Sequence, residues 1–244
     1  MRKPRITRKD MIFDGFAVSD YLVIEKIERG SVIDVASFFK SIPGRNGQIM
    51  MGNKRNAQTI TVKGRLFPFG AEYHEVEKTA SLIASKLYTD TPKELILRDS
   101  ILTEKAILDG AMAIERKFDI AEITMRFVNL TGLKYGQKHS AEINSGETLT
   151  LFNAGTEDAD LYIHGEITNA SAEIKNVKTA ESMRFVALAM NEQITIDSEA
   201  RICTGLTARK GLTFDSVWLK IHPGENIINA SGLTATLEWR DTWM

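Results

Sequence analysis

Alternation of apolar and polar residues with a period of two is the feature that most restricts this chain. In TITVKGRL, residues 59–66, Ile60, Val62 and Leu66 fall on one side and Thr59, Thr61, Lys63 and Arg65 on the other. That is the pattern of a strand with one buried and one solvated face. Past Val128 the texture is purely β: TLTLF, DLYIHGEI, AEIKNV, MRFVAL, EQITIDS, ARICTG, VWLKI, ENIINA and LTATLEW succeed one another with turn residues between them. Short strands at that spacing specify a sandwich or jelly roll. In FDIAEITMRFV, Phe118 and Ile120 lie on one phase and Ile123, Met125 and Phe127 on the next, which predicts a β-bulge at Ala121 and Glu122. Asp109 and Gly110, set between two apolar runs, predict a two-residue hairpin turn.

One segment breaks the rhythm. In AEYHEVEKTASLIASKLY, Tyr73, Val76, Ala80, Ile83 and Leu87 recur at spacings of three and four, while Glu72, Glu75, Lys78 and Lys86 fall off that stripe. This predicts one amphipathic helix over about 71–88, with early glutamates and later lysines suited to the helix dipole. A chain of 244 residues, 43% hydrophobic and 26% charged, has enough apolar side chain for one large β domain or two ordinary ones. The change of texture in NLTGLKYGQKHS, 129–140, is the best boundary. The expected division is 1–132 and 133–244.

Several functions are made improbable by composition. Thirty-one basic and thirty-two acidic residues give a net charge of −1, so only a local patch could attract nucleic acid or an anionic membrane. The single cysteine, Cys203, excludes an internal disulfide and a cysteine-based zinc site, and is expected as a buried small hydrophobe. The start, MRKPRITRKDMIF, lacks the apolar run of a signal peptide, and no segment reaches the length of a membrane helix. No membrane insertion is expected.

The most chemically suggestive stretch is SIPGRNGQIMMGNKR, 41–55. A phosphate cradle needs glycines after a strand, a Lys-Ser or Lys-Thr pair and a following helix. Here the pair is missing and the strand TITVKG follows. Arg45, Lys54 and Arg55 offer charge for nucleic acid, but no aromatic residue interleaves with them to stack bases. A hairpin tip facing water or protein remains, with Met50 and Met51 as adaptable contact residues.

Elsewhere, His164 and Glu166 share a strand face but amount to two ligands, fewer than a metal site needs. Glu157, Asp158 and Asp160 crowd a turn, where solvation explains them. Trp239 continues the phase of Leu233, Ala235 and Leu237, so it belongs to the core. Tyr162 and Trp243 are the candidate sugar contacts. No catalytic motif, cofactor site or metal site is found in the sequence.

The order of the blocks carries a resemblance. MIFDGFAVSDYLVIEKIERG, IPGRNG, a strand, one helix, PKELILRD and AILDGAMAIERKFDIAEITMRFV resemble the N-terminal domain of the distal tail protein family of long-tailed, non-contractile bacteriophages. LFNAGTEDADLYIHGEI, EQITIDSEARIC and KIHPGENIINASG, ending in LEWRDTWM, are similar to its C-terminal sandwich. The chain departs from the family pattern at Asp160, where proline is frequent, and at His222, where leucine is.

The resemblance implies a mainly β protein: an N-terminal β-sandwich-like domain with one helix and an extended hairpin, then a galectin-like or jelly-roll sandwich. It also implies a structural role at the virion tail tip after synthesis in the host cytoplasm. The subunits would form a ring, typically a homo-hexamer, around the channel through which DNA passes without sequence-specific binding. The tail tube protein would lie above, with a tail-associated, baseplate or receptor-binding protein below or outside. The candidate contacts between subunits are Pro43, Gly44, Arg45, Asn46, Gly47, Met50 and Met51. A competing reading is a carbohydrate-binding adhesion module for a host cell-wall polysaccharide, which requires exposed aromatics on one face of 141–244. A third, a cell-wall glycan hydrolase, requires a cleft with two close carboxylates.

Overall fold

The computed structural model describes residues 10–30, 35–66, 73–117 and 120–244, with the side chains of Tyr73, Lys117 and Ile120 left aside. Glu72, Phe118 and the basic stretch 1–9 lie outside this set, so the readings placed on them, and on the side chains of Tyr73 and Ile120, are not developed. The chain divides into two compact units, one ending at Lys134 and the other running Tyr135–Trp243.

In the first unit the strands are β1 (Met11–Phe13), β2 (Phe16–Ala17), β3 (Leu22–Arg29), β4 (Val35–Ser41), β5 (Gln48–Arg55) and β6 (Gln58–Leu66). Helix α1 (Tyr73–Leu87) follows, then β7 (Lys93–Leu97), β8 (Thr103–Leu108), β9 (Ala113–Lys117) and β10 (Ile120–Asn129). β3, β6 and β10 pair antiparallel in sequence, and β8 continues from β10 to β7 and β1. The expected alternation in β6 holds: Ile60, Val62 and Leu66 are buried. They meet Met125, Phe127 and the α1 stripe of Val76, Ala80, Ile83 and Leu87 in one core. Glu75, Lys78 and Lys86 face solvent, as an amphipathic helix on a sheet requires.

Two local expectations fail. Asp109 and Gly110 do not close a hairpin: β8 and β9 both pair with β10, β8 at Phe127 and Val128 and β9 over Ile120–Thr124. They lie end to end along one neighbour. Only Gly110 has positive φ, whereas a type I′ hairpin needs it at both central residues. Asp109 instead donates its backbone N–H to Arg126 O at 2.8 Å and pairs with the Arg126 guanidinium. Nor is there a bulge at Ala121 and Glu122, since β10 keeps unbroken register with β6 and β9, and Ala121, Ile123, Met125 and Phe127 form one buried phase. The small Ala121 is the residue that continues the phase. The bulge of this region lies between Ile24 and Lys26 in β3.

The second unit holds β11 (Lys134–Ile143), β12 (Thr148–Asn153), β13 (Ala159–Asp160), β14 (Tyr162–Ile167), β15 (Ala172–Asn176) and β16 (Ser182–Phe185). After these come β17 (Gln193–Asp197), β18 (Ile202–Thr204), α2 (Ala208–Gly211), β19 (Lys220–Ile221), β20 (Gly224–Ser231) and β21 (Leu233–Trp243). One sheet runs β18-β17-β14-β21-β11, the other β12-β20-β15-β16, and a β13-β19 ladder lies beside them. Inward residues of both sheets, among them Ile163, Ile196 and Leu237 from one and Ile174, Phe185 and Ile228 from the other, form a single core. This is a β-sandwich. Every segment expected as a strand after Val128 contributes one.

The stretch 129–140, read from the sequence as the domain boundary, is largely strand. The non-strand residues are 130–133, and β11 begins at Lys134. β11 is hard to find because only Tyr135 and Ile143 of its ten residues are buried. Cys203 is buried, and burial first, then Glu192, pushes its thiol up.

Candidate functional site

Strands β4 and β5 pair with each other and with no other described strand, from Val35 opposite Arg55 to Ser41 opposite Gln48. Two-stranded ribbons are marginal in water, and this one has little covering from its own chain. The turn explains why the ribbon folds back. Arg45 N–H donates to Ile42 O at 3.2 Å, Pro43 occupies the second position and Gly44 has φ +80°. These are the features of a type II turn, which only glycine enters freely at its third position. Phe38 lies opposite Gly52 and Phe39 opposite Met50, so Met51 is the extra residue of a bulge.

The side chains of the ribbon are unusual for a solvated hairpin. Phe38, Phe39, Met50 and Met51 are 53–63% exposed, with Val35 and Ile42 also exposed. Because successive residues of a strand point to opposite faces, Phe38 and Phe39 place an aromatic ring on each side. Between residues 35 and 57 there are four basic residues, Lys40, Arg45, Lys54 and Arg55, and no acidic one. The structure thus gathers Pro43, Gly44, Arg45, Asn46, Gly47, Met50 and Met51 at the distal half of one arm. The phenylalanines were not singled out in the sequence. Their signal was there: two adjacent aromatics defeat alternation, so one of them has to face outward.

The other candidates are placed as follows. His164 Nδ1 lies 3.1 Å from Thr195 Oγ1, and Glu166 accepts from Gln193 Nε2 at 2.8 Å, so both serve the polar face of their sheet. No metal-holding group of three or more His, Cys, Asp or Glu occurs among the described residues. Trp239 is core, its Nε1 donating to Phe152 O at 3.1 Å and its ring stacked on His139. Trp243 shares its phase and is half-buried, its indole nitrogen lying over Gly136. Tyr162 is 41% exposed on the opposite phase, opposite Glu238 and Asp197. The two candidate sugar contacts therefore do not share a face.

The carboxylates of the 157–160 turn are engaged as well as solvated. Asp160 pairs with Lys220 at 3.1 Å, and Asp158 accepts from His222 Nδ1 at 2.8 Å. Glu181 takes the other ring nitrogen at 2.9 Å. The Glu181 contact foremost, then Asp158, holds the imidazolium above the usual histidine range against the opposing effect of burial. The His222 backbone is fixed by Asn226, whose Oδ1 accepts from His222 N at 3.0 Å and whose Nδ2 donates to His222 O at 2.7 Å.

Comparison with known proteins follows the two units. Residues 18–129 match the family described as phage tail protein RIFT-related domain, and residues 154–243 match the siphovirus-type tail component, C-terminal domain. No curated protein matches. The solved structure of the Dit protein of phage SPP1 superimposes with a TM-score of 0.79 at 16% identity, covering 96% of this chain and 99% of that one. Two structures of the phage p2 baseplate in its activated conformation, with strontium and with calcium, give TM-scores of 0.52 and 0.51 at 10% identity. They cover 92% and 98% of this chain, and 91% and 92% of theirs. At these identities the superpositions establish the fold, a mainly β chain with a galectin-like C-terminal sandwich. Together with the two family matches, they define a structural component of a phage tail of the long, non-contractile class. The chain belongs to the siphovirus distal tail protein family.

Proposed function

We propose that the protein is the ring subunit of the tail tip: copies close a homo-hexamer that joins the tail tube protein above to tail-associated, baseplate or receptor-binding proteins below or outside. Residues 1–132 build the ring around the channel through which DNA leaves, without sequence-specific contact, and residues 133–244 form the outer sandwich. The role is mechanical and needs neither catalysis nor a cofactor. Synthesis is in the host cytoplasm.

The observation that carries this reading is the β4–β5 arm. An apolar, wholly basic ribbon with both faces uncovered gains free energy by burial against another surface, at about 25 cal/mol per Å2 of apolar area. A closed ring of heterologous contacts supplies such a surface once per subunit, because each copy's arm meets a different patch of the next. The solved relative is described as a hub of the adsorption apparatus of phages infecting Gram-positive hosts, which is the same kind of assembly. Native mass spectrometry of the purified chain tests the proposal. A discrete oligomer is expected, and Arg45→Ala, Met50→Ser and Met51→Ser together shift it to monomer without changing the far-ultraviolet dichroism. A wild-type chain that stays monomeric at every concentration, alone and with its tube protein, would overturn the reading.

A further inference from the structure

The distal end of the arm holds the only Asn-Gly pair in the sequence, Asn46-Gly47. It lies between two fixed points. The turn before it closes with Arg45 N–H on Ile42 O, and the ladder after it begins at Gln48 opposite Ser41. Both residues are exposed. Among the described residues, neither the Asn46 carboxamide nor the Gly47 N–H has a hydrogen-bond partner.

A backbone N–H that follows an asparagine is a latent nucleophile toward that residue's carboxamide. Attack of the Gly47 nitrogen on Asn46 Cγ closes a five-membered ring, and it is limited by what crowds the nitrogen and by what holds the carboxamide. Gly47 presents no Cβ, its φ is +86°, and nothing lies within 4 Å of where a Cβ would stand. The four cations of the stretch 35–57, with no anion among them, favour the negative charge that develops on the nitrogen and on the amide oxygen.

Asparagines before a small residue in the sandwich are restrained by comparison. Asn144 Nδ2 donates to Glu147 Oε2, Asn153 Nδ2 to Glu157 O and Ile221 O, and Asn229 Nδ2 to Glu147 O and Thr148 Oγ1. Asn169 Oδ1 accepts, at 2.7 Å, from the Ala170 N–H that would have to attack. The Asp-Gly pairs, Asp14-Gly15 and Asp109-Gly110, offer carboxylates held by Lys93 and Arg126, and a carboxylate resists attack.

We propose that Asn46 is a self-modifying site, at which the free chain converts asparagine to aspartate and isoaspartate. The Gly47 nitrogen gives its proton to hydroxide and bonds to Asn46 Cγ. The bond from Cγ to the side-chain nitrogen then breaks, and ammonia leaves. Water opens the resulting succinimide at either carbonyl: at Cγ it gives aspartate, and at the main-chain carbon it gives isoaspartate. The sum is carboxamide plus water to carboxylic acid plus ammonia, with no change of oxidation state. Either product places an ionised carboxylate in a stretch that had none, and isoaspartate also lengthens the main chain just before β5. A subunit changed in this way is a poorer partner for assembly, a consequence that rests on the ring reading of the arm.

The full chain, incubated at low concentration in mildly alkaline buffer at physiological temperature, tests the site through its Lys-C peptide 41–54. The peptide is expected to gain ~1 Da, with electron-transfer fragmentation placing the change at Asn46 and separating the two isomers. The rate should exceed that at each sandwich asparagine by about tenfold or more, and should fall about tenfold in Gly47→Ala. It should also fall in mildly acidic buffer. Asn46→Gln, whose attack would need a larger ring, is the second variant and should show no gain at residue 46. A gain seen only after denaturation, one no faster than at the sandwich asparagines, or one undiminished in both variants would overturn the proposal. For assembly, the aged sample is concentrated, and its oligomer and monomer are separated and digested. The oligomer is expected to be several-fold richer in intact Asn46. Equal shares, or no oligomer at all, would overturn the consequence for the ring, whereas the mass gain is read on the whole sample and is independent of ring formation.

Discussion

Gly232 is the whole connection between β20 and β21. It has φ +71°, and a Cβ at this position would lie 2.0 Å from Ser171 O. Both the left-handed backbone and the space require glycine. Gly232→Ala is expected to cost about 2–5 kcal/mol, the sum of a left-handed penalty and overpacking, seen as a lower midpoint in chemical denaturation of residues 135–243. The sequence shows NASGLTA, so a turn was legible there, but the Ser171 carbonyl is sixty-one residues away and left no local trace. The same holds for His222. Its family departure could be read, whereas its two carboxylate partners come from segments that only the fold brings together. Because its folded pKa is raised, its ion pairs stabilise fully below the unfolded value, near 6.5, provided the carboxylates are ionised. That contribution fades as pH rises through the folded value. Thermal melts of the wild type should therefore lose stability from mildly acidic to mildly alkaline pH, and His222→Gln should flatten the profile. Asp158, Glu181, Asp160, Lys220, Glu199 and Arg201 line a cavity with His222 and set the background.

At the scale of elements, period-two patterning found almost every strand because most have one buried face. It missed β11, which buries little, and it gave β8 and β9 to each other because a turn sequence says where the chain bends but not which neighbour it then meets. Polar burial was invisible to it altogether. Glu104 in β8 is 2% exposed and pairs with Arg29 at the end of β3, which also bonds Asp99 at 3.0 Å. Asn129 completes the group, donating to Leu133 O at 2.9 Å while its Oδ1 accepts from Gly132 N at 3.0 Å. Removing the guanidinium leaves a buried carboxylate without its charge partner, so Arg29→Ala is expected to cost about 3–5 kcal/mol by urea denaturation. Arg29→Ala with Glu104→Leu should recover much of that loss, which a purely steric account would not give.

For the molecule as a whole, the near-zero net charge conceals an uneven distribution. The stretch 35–57 carries four cations and no anion, so the remainder of the chain carries the compensating excess of acid. An assembly held partly by such an arm should weaken with ionic strength, since contacts at a solvent-accessible rim are screened within ~10 Å at 0.1 M salt. Light scattering across a salt series should show mass falling as salt rises, with a residual oligomer held by Phe38, Phe39, Met50 and Met51.

The arm also gives every copy a readable history. Lys40, Arg45, Lys54 and Arg55 are trypsin sites on a ribbon with little cover of its own, and a neighbour that covers the aromatics covers these bonds as well. If the ring forms as proposed, a cut near Arg45 would mark a molecule that was alone when the protease met it. In a host cell the same exposure would give stray subunits a shorter life than assembled ones, so that supply is trimmed toward what tails can use.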